Sequence, residues 1–295
     1  MFVNNYEESL WNARLVEYSS KIVTGGLRIE DIDNMLFDLV GFCNDYQYSD
    51  RYGNKKTLLR RIGEYEVVLK LIAKKFNCRV EDIYVGDLDL NSIRGNRFPY
   101  SVVIGNLDAS DRSTTLDAIH FINHRKTGNK DMSKLRAVIG NADFTSSSDS
   151  NLQNLMFVSG DFSITGKRED LKIRIIGGNA TFAISHIEDL SSLIYVGGDL
   201  NCPNSEIEDM SSLKEVKGSI LKLPKGLDGM PNLILVGKDL IVEDPSHSIK
   251  SFPKLQTVRG KIETRKCSKL LSAFFAFKFK KTQEGYIRRS LKDSR

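Results

Sequence analysis

The sequence predicts an α+β chain in which a helical region precedes a long parallel β-solenoid. Three observations carry that reading. A glycine-centred phrase returns about every twenty residues, the apolar period changes from about 3.6 to two near residue 80, and excess positive charge is confined to the last 31 residues. The expected organisation is a helical region over 1–80, a solenoid over 81–264 with a helical insertion near 112–126, and a basic, aromatic helical cap over 265–295.

The phrase is an aliphatic residue, any residue, usually glycine, a polar residue, then an apolar one. It reads Val138-Ile-Gly-Asn-Ala142, Val158-Ser-Gly-Asp-Phe162, Ile176-Gly-Gly-Asn-Ala180, Val196-Gly-Gly-Asp-Leu200, Val216-Lys-Gly-Ser-Ile220, Val236-Gly-Lys-Asp-Leu240 and Val258-Arg-Gly-Lys-Ile262. Its first residues are spaced 20, 18, 20, 20, 20 and 22 apart. Two earlier copies, Tyr84-Val-Gly-Asp-Leu88 and Val103-Ile-Gly-Asn-Leu107, move the expected start to about Ile83. Between Val103 and Val138 the step is 35, and the excess holds Leu116, Ile119, Phe121 and Ile122, which suit an inserted helix.

Read as one strand of period two, the phrase puts Val196, Gly198 and Leu200 on one face and Tyr195, Gly197 and Asp199 on the other. So short a strand cannot bury its face alone, whereas stacked coils bury a continuous core. Before each strand comes an apolar wall such as Ile187-Glu-Asp-Leu-Ser-Ser-Leu193, whose spacing of three suits a tight turn or 3₁₀ segment held by Ser and Asp. The polar position of the phrase forms a column: Asp87, Asn106, Asn141, Asp161, Asn179, Asp199, Ser219, Asp239 and Lys261. Short polar side chains stacked this way are expected to bond backbone groups at a bend, as a structural ladder.

The wall followed by Leu193-Ile-Tyr-Val-Gly-Gly-Asp-Leu200, and again Leu233-Ile-Leu-Val-Gly-Lys-Asp-Leu240, resembles the leucine-rich-repeat variant of receptor L domains over about 135–264. The resemblance implies a right-handed, leucine-rich-repeat-like solenoid with one long parallel sheet used for protein recognition. No family is suggested for residues 1–80.

In that region helices are expected over Leu10–Tyr18, from Ile29 or Ile32 to Phe42, and over Lys55–Phe76, as a cap on the solenoid edge or a separate binding module. At the other end, residues 265–295 carry ten Lys/Arg and two acids, a net of +8, while the rest of the chain is −3. Phenylalanines in Lys269–Lys281 suit a core-closing cap with lysines facing water. The alternative is a nucleic-acid contact through Lys278, Lys280, Lys281, Arg288 and Arg289.

Catalytic signatures are missing. The four cysteines are scattered without C-x-x-C, and His120 and His124 have no metalloprotease glutamate between them. There is no phosphate-binding loop, nucleophile elbow or dinucleotide glycine pattern. No cofactor or metal is expected, and the chain reads as non-enzymatic. It contains no apolar run long enough to span a membrane and no secretory signal, so a cytoplasmic location is expected.

The expected function is that of a protein-binding solenoid. Residues in the strand-face column vary sharply: Phe157, Ile175, Tyr195, Glu215, Leu235 and Thr257, with Lys217 and Arg259 beside them. Variation over a constant scaffold suits a recognition surface with an apolar centre and a charged rim; the alternative is that the inserted helix or the N-terminal region covers these residues. A chain built only to bind fits an adaptor or an inhibitor, such as a phage or pathogen protein that blocks a host machine.

Overall fold

A computed structural model describes residues 66–93, 97–110, 130–145, 151–167, 171–224, 226–227, 229–243, 251–264, 279–282 and 285–288. The expected N-terminal helices before residue 66, the insertion near 112–126 and most of the tail lie outside the described residues.

The first described element is helix α1 (Glu66–Lys75). Leu69, Ile72, Ala73 and Phe76 are buried on one face, at the spacing an amphipathic helix requires. It ends where Asn77 turns left-handed (φ 47) and the Cys78 amide donates to the Ala73 carbonyl at 2.9 Å. That is the Schellman termination, which satisfies carbonyls otherwise left bare at a helix end.

The strands follow as β1 (Ile83–Val85), β2 (Leu88–Asp89), β3 (Val102–Ile104), β4 (Leu107–Asp108), β5 (Ala137–Ile139), β6 (Ala142–Phe144), β7 (Phe157–Val158), β8 (Phe162–Lys167), β9 (Ile175–Ile176) and β10 (Ala180–His186). They continue as β11 (Tyr195–Val196), β12 (Leu200–Asn201), β13 (Glu215–Val216), β14 (Ile220–Lys222), β15 (Leu235–Val236), β16 (Leu240–Val242), β17 (Thr257–Val258), β18 (Ile262–Thr264), β19 (Phe279–Thr282) and β20 (Gly285–Arg288). Odd-numbered strands from β1 to β17 stack in parallel into a first sheet, and even-numbered strands from β2 to β18 into a second. Each coil therefore contributes a strand to both. The single long sheet implied by the resemblance, and the single strand read from the phrase, become two sheets joined at a corner. Tyr195–Val196 belongs to the first sheet, Gly197–Asp199 turns the chain, and Leu200–Asn201 enters the second.

The polar column holds that corner. Each rung accepts the amide of the rung in the next coil: Asn106 N–H to Asp87 (2.8 Å), Asn141 to Asn106 (2.9 Å), Asp161 to Asn141 (2.8 Å), Asn179 to Asp161 (2.7 Å) and Asp199 to Asn179 (2.8 Å). The series runs on through Ser219 to Asp199 (2.7 Å), Asp239 to Ser219 (3.3 Å) and Lys261 to Asp239 (2.6 Å). The expected ladder is present along all nine coils.

This ladder helps explain the glycine of the phrase from Gly160 onward, whereas a Cβ on Gly105 or Gly140, both at positive φ, would meet the backbone carbonyl of Gly86 or Gly105. A Cβ on Gly160, Gly178, Gly198, Gly218 or Gly260 would collide with the Oδ1 of Asn141, Asp161, Asn179, Asp199 or Asp239, the rung of the preceding coil. Lys238 stands where glycine is otherwise used, and the rung before it is Ser219, whose side chain is one atom shorter. The lysine is tolerated where the acceptor is short.

Inside, the first sheet contributes Val103, Val138, Val158, Ile176, Val196, Val216, Val236 and Val258 to one buried cluster. In the second sheet small and large residues alternate. Phe162 lies in register between Ala142 and Ala180, and its ring is 6.0 and 5.6 Å from those of Phe144 and Phe182. That arrangement fills the interior without overpacking. The third wall consists of tight turns: the amides of Leu135, Leu155, Leu193, Leu213, Leu233 and Leu255 donate back three residues, to Met132, Leu152, Leu190, Met210, Met230 and Phe252. Asp189 and Asp209 accept the Ser191 and Ser211 amides at 2.6 Å, as the Ser and Asp content predicts.

Two polar anchors secure the early coils. The buried Lys130 ammonium donates to the Leu90 and Ile93 carbonyls, both at 2.6 Å. The Asp82 carboxylate accepts from Arg79 at 3.1 Å and from Lys134 at 2.7 Å, and these partners hold its pKa far below the usual carboxylate range. A depressed folded-state pKa contributes stability above the unfolded value, lost as pH falls through the carboxylate range and below.

At the C-terminal end, β20 pairs antiparallel with β17 and with β19, and Phe279 is buried in the core cluster. Over these residues a β-hairpin replaces the expected helical cap. The alternation of Phe279 with Lys280 suits a strand, and the open edge of β17 supplies backbone partners that a helix could not use.

Two stability measurements test this account. Ser219→Asn should collide with the Lys238 Cβ and destabilise by about 1–3 kcal/mol. In a K238G background the same change should cost much less, so a double-mutant cycle by chemical denaturation should show a clear coupling. The second concerns the position eight residues after Val158, Ile176 and Val196, where Gly166, Ile184 and Asn204 all adopt positive φ (86, 48 and 54). Ile184 is β-branched and 63% exposed, the residue type least suited to that conformation. Ile184→Asn should stabilise by about 1 kcal/mol, read as a higher denaturation midpoint with an unchanged slope.

Candidate functional site

The outer face of the first sheet is the candidate site, because neighbouring strands place the variable column in strict register. Phe157 pairs with Ile175, Ile175 with Tyr195, Tyr195 with Glu215, Glu215 with Leu235, and Leu235 with Thr257. Parallel strands lie about 4.8 Å apart, so these side chains form a continuous row.

The row has two parts. Over β3, β5 and β7 the outward residues Val102, Ile104, Ala137, Ile139 and Phe157 are all buried. Helix α1 covers this end: the Phe76 ring lies 5.8 Å from that of Phe157, and the Lys75 ammonium sits 5.9 and 5.8 Å from the two ring centres. Burial pushes the Lys75 pKa down. Phe157 is 3% exposed and serves as a seat for α1, so at this position the alternative of a cover from the N-terminal region holds in place of an exposed contact. The signal lay in the sequence. Val102-Val-Ile104 and Ala137-Val-Ile139 are unbroken apolar runs, the mark of a strand buried on both faces.

From β9 to β17 the alternation returns. Ile175, Tyr195, Glu215, Leu235 and Thr257 are half-buried, and Lys217 and Arg259 are exposed. Glu215 and Lys217 form an ion pair at 2.7 Å beside Tyr195. Burial raises the Tyr195 hydroxyl pKa, Glu215 adds to the rise, and Lys217 opposes it. The structure therefore unites Tyr195, Glu215 and Lys217 in one polar-aromatic group, with Ile175 on one side and Leu235 on the other. Arg259 stands at the β17 end.

On the second sheet Asp89, Asp108 and Asp143 share a register. Asp108 and Asp143 each accept from the amide and hydroxyl two residues on, Ser110 and Thr145. Among the described residues no group of three or more His, Cys, Asp and Glu is placed to hold a metal ion. His186 pairs with Glu206 at 2.6 Å, whereas His120, His124 and His247 lie outside the described residues. Cys202 is fully buried, and its thiol is pushed far up by desolvation.

Of the alternative nucleic-acid residues, Lys280, Lys281 and Arg288 fall in the β19–β20 hairpin, while Lys278 and Arg289 lie outside the described residues. No helix among the described residues is long and apolar enough to cross a membrane.

Comparison with protein-family models, with curated proteins and with solved structures finds no match to this chain.

Proposed function

We propose that this chain is a non-enzymatic protein-binding solenoid that acts through the outer face of β9 to β17. The observation that carries the reading is the row Ile175, Tyr195, Glu215, Leu235, Thr257: five different side chains in register on a backbone that repeats almost unchanged. The ladder and the core fix that backbone, so the row can change chemistry without disturbing the fold. Ile175, Tyr195 and Leu235 supply apolar and aromatic contact area on both sides of the central Glu215–Lys217 ion pair, with Arg259 at the β17 end, a mix of aromatic, aliphatic and charged groups suited to an interface. The resemblance of the repeat to receptor L domains, which recognise proteins, favours the same reading. In the finer form of this proposal the chain works as an adaptor, or as an inhibitor of the kind a phage or pathogen uses against a host machine.

The test is affinity capture from the native cell with the wild-type chain and with Tyr195→Ala combined with Glu215→Ala. A partner held by this face should bind at least about tenfold more weakly to the double variant. Equal recovery, with the variant's unfolding transition unchanged, would show that the face does not bind it.

A further inference from the structure

The step from Val158 to Ile176 is 18 where the neighbouring steps are 20. The structure shows what the shortening does. The third wall of the other described coils from Met132 onward carries two residues between its buried pair, as in Leu152-Gln-Asn-Leu155 and Leu190-Ser-Ser-Leu193. In this coil the buried pair is Leu171 and Ile173, with Lys172 alone between them, and the tight turn is missing. A gap is left in an otherwise continuous stack of turns. It forms a notch of about 340 Å³, bounded by Gln153 and Asn154 of the preceding coil and by Asp189, Ser191 and Ser192 of the following one. Met156 and Leu171 supply apolar surface, and Lys172 and Arg174 supply charge.

The notch has the size of a small-ligand site. Both its cations are exposed, and neither forms an ion pair among the described residues. Asp189 already accepts the Ser191 amide at 2.6 Å, and the Ser192 hydroxyl donates to the Ile173 carbonyl at 3.0 Å, so the lower rim is held in place by its own turn. Two cations beside an apolar floor match a carboxylate carried on an apolar body. We propose that the notch opened by the short coil binds a small organic carboxylate, its charge against Lys172 and Arg174 and its apolar part on Met156 and Leu171. The carboxylate could be a free ion or the C-terminus of a peptide, and the chemistry at the notch is the same. This site is on a different wall from the β9–β17 face and does not depend on the function proposed for it.

The test is an amide-resolved NMR titration of the full chain with three probes: benzoate, N-acetylphenylalanine and neutral benzamide. Saturable shifts centred on 153–154, 171–174 and 189–192 are expected with a carboxylate probe and not with benzamide. Benzoate binding as tightly or more tightly assigns the site to free ions, and N-acetylphenylalanine binding about tenfold more tightly assigns it to peptide C-termini. Lys172→Gln with Arg174→Gln, both exposed, should weaken binding at least about tenfold, as expected for hydrogen bonds to a charged group. Inserting one asparagine between Lys172 and Ile173 restores the two-residue turn and should abolish binding. The proposal is overturned if neither carboxylate saturates, if benzamide binds equally, or if the Lys172→Gln, Arg174→Gln variant binds as the wild type does.

Discussion

Each coil gives a side-chain oxygen to the backbone of the next, and the rest of the solenoid follows from that transfer. At the corner between the two sheets the chain turns, so the rung amides have no partner within their own coil. The Asx and Ser rungs supply one. Each such hydrogen bond contributes about 0.5–1.5 kcal/mol net, and because it recurs from coil to coil the ladder fixes how each coil sits on its neighbour. It also limits composition. The rung must be short and carry an acceptor, and the residue before it must leave room for the rung below. From Gly160 onward one steric requirement bears on both the recurring glycine and its exception at Lys238, which follows the short rung Ser219.

The ladder limits charge as well. From Asp161 onward the rungs read Asp, Asn, Asp, Ser, Asp, Lys, so Asp161 and Asp199 are each followed by a neutral acceptor and Asp239 by a cation. Consecutive rungs are about 4.8 Å apart, and a neutral rung between two acids doubles that to roughly 10 Å, near the screening length at physiological salt. The column can then keep the stronger, charge-assisted acceptor at alternate coils without a stack of touching like charges.

Much of this was legible in the sequence because a solenoid repeats its constraints. The spacing of the phrase fixed the register, and register alone aligned Tyr195 with Glu215 and Leu235. The polar column pointed to a bend, but period two did not show that the phrase divides between two sheets there. Val196 and Leu200 point inward whether the chain runs straight or bends between them, so period two describes both cases. The distinguishing clue was chemical: a glycine followed by a short acceptor is wasted inside a straight strand and required at a bend. Phe157 is a different case. The unbroken apolar runs of the strands before it mark a covered end of the sheet, but which residue covers it could not be read, since Phe76 lies 81 positions earlier in the sequence. The hairpin at Phe279–Arg288 was hidden by composition, since an aromatic and basic segment reads equally well as an amphipathic helix until an open strand edge is available to it.

The exceptions to the repeat are therefore where specificity is concentrated. Two of the three corners are tied, one by the ladder and one by the turns of the third wall. Added length enters at the remaining corner, between the second sheet and that wall: the long intervals 109–131 and 243–251 both fall there. Shortening has a different consequence. The coil between Val158 and Ile176 gives up a residue in the turn stack itself, and the gap there is lined by Met156 and Leu171 as well as by polar groups. The same shift separates the two halves of the first sheet, where unbroken apolar strands accept the chain's own helix and alternating strands keep a varied face. A regular scaffold makes each departure local, so a change in one coil can create a notch or a contact row while the ladder holds its neighbours in place.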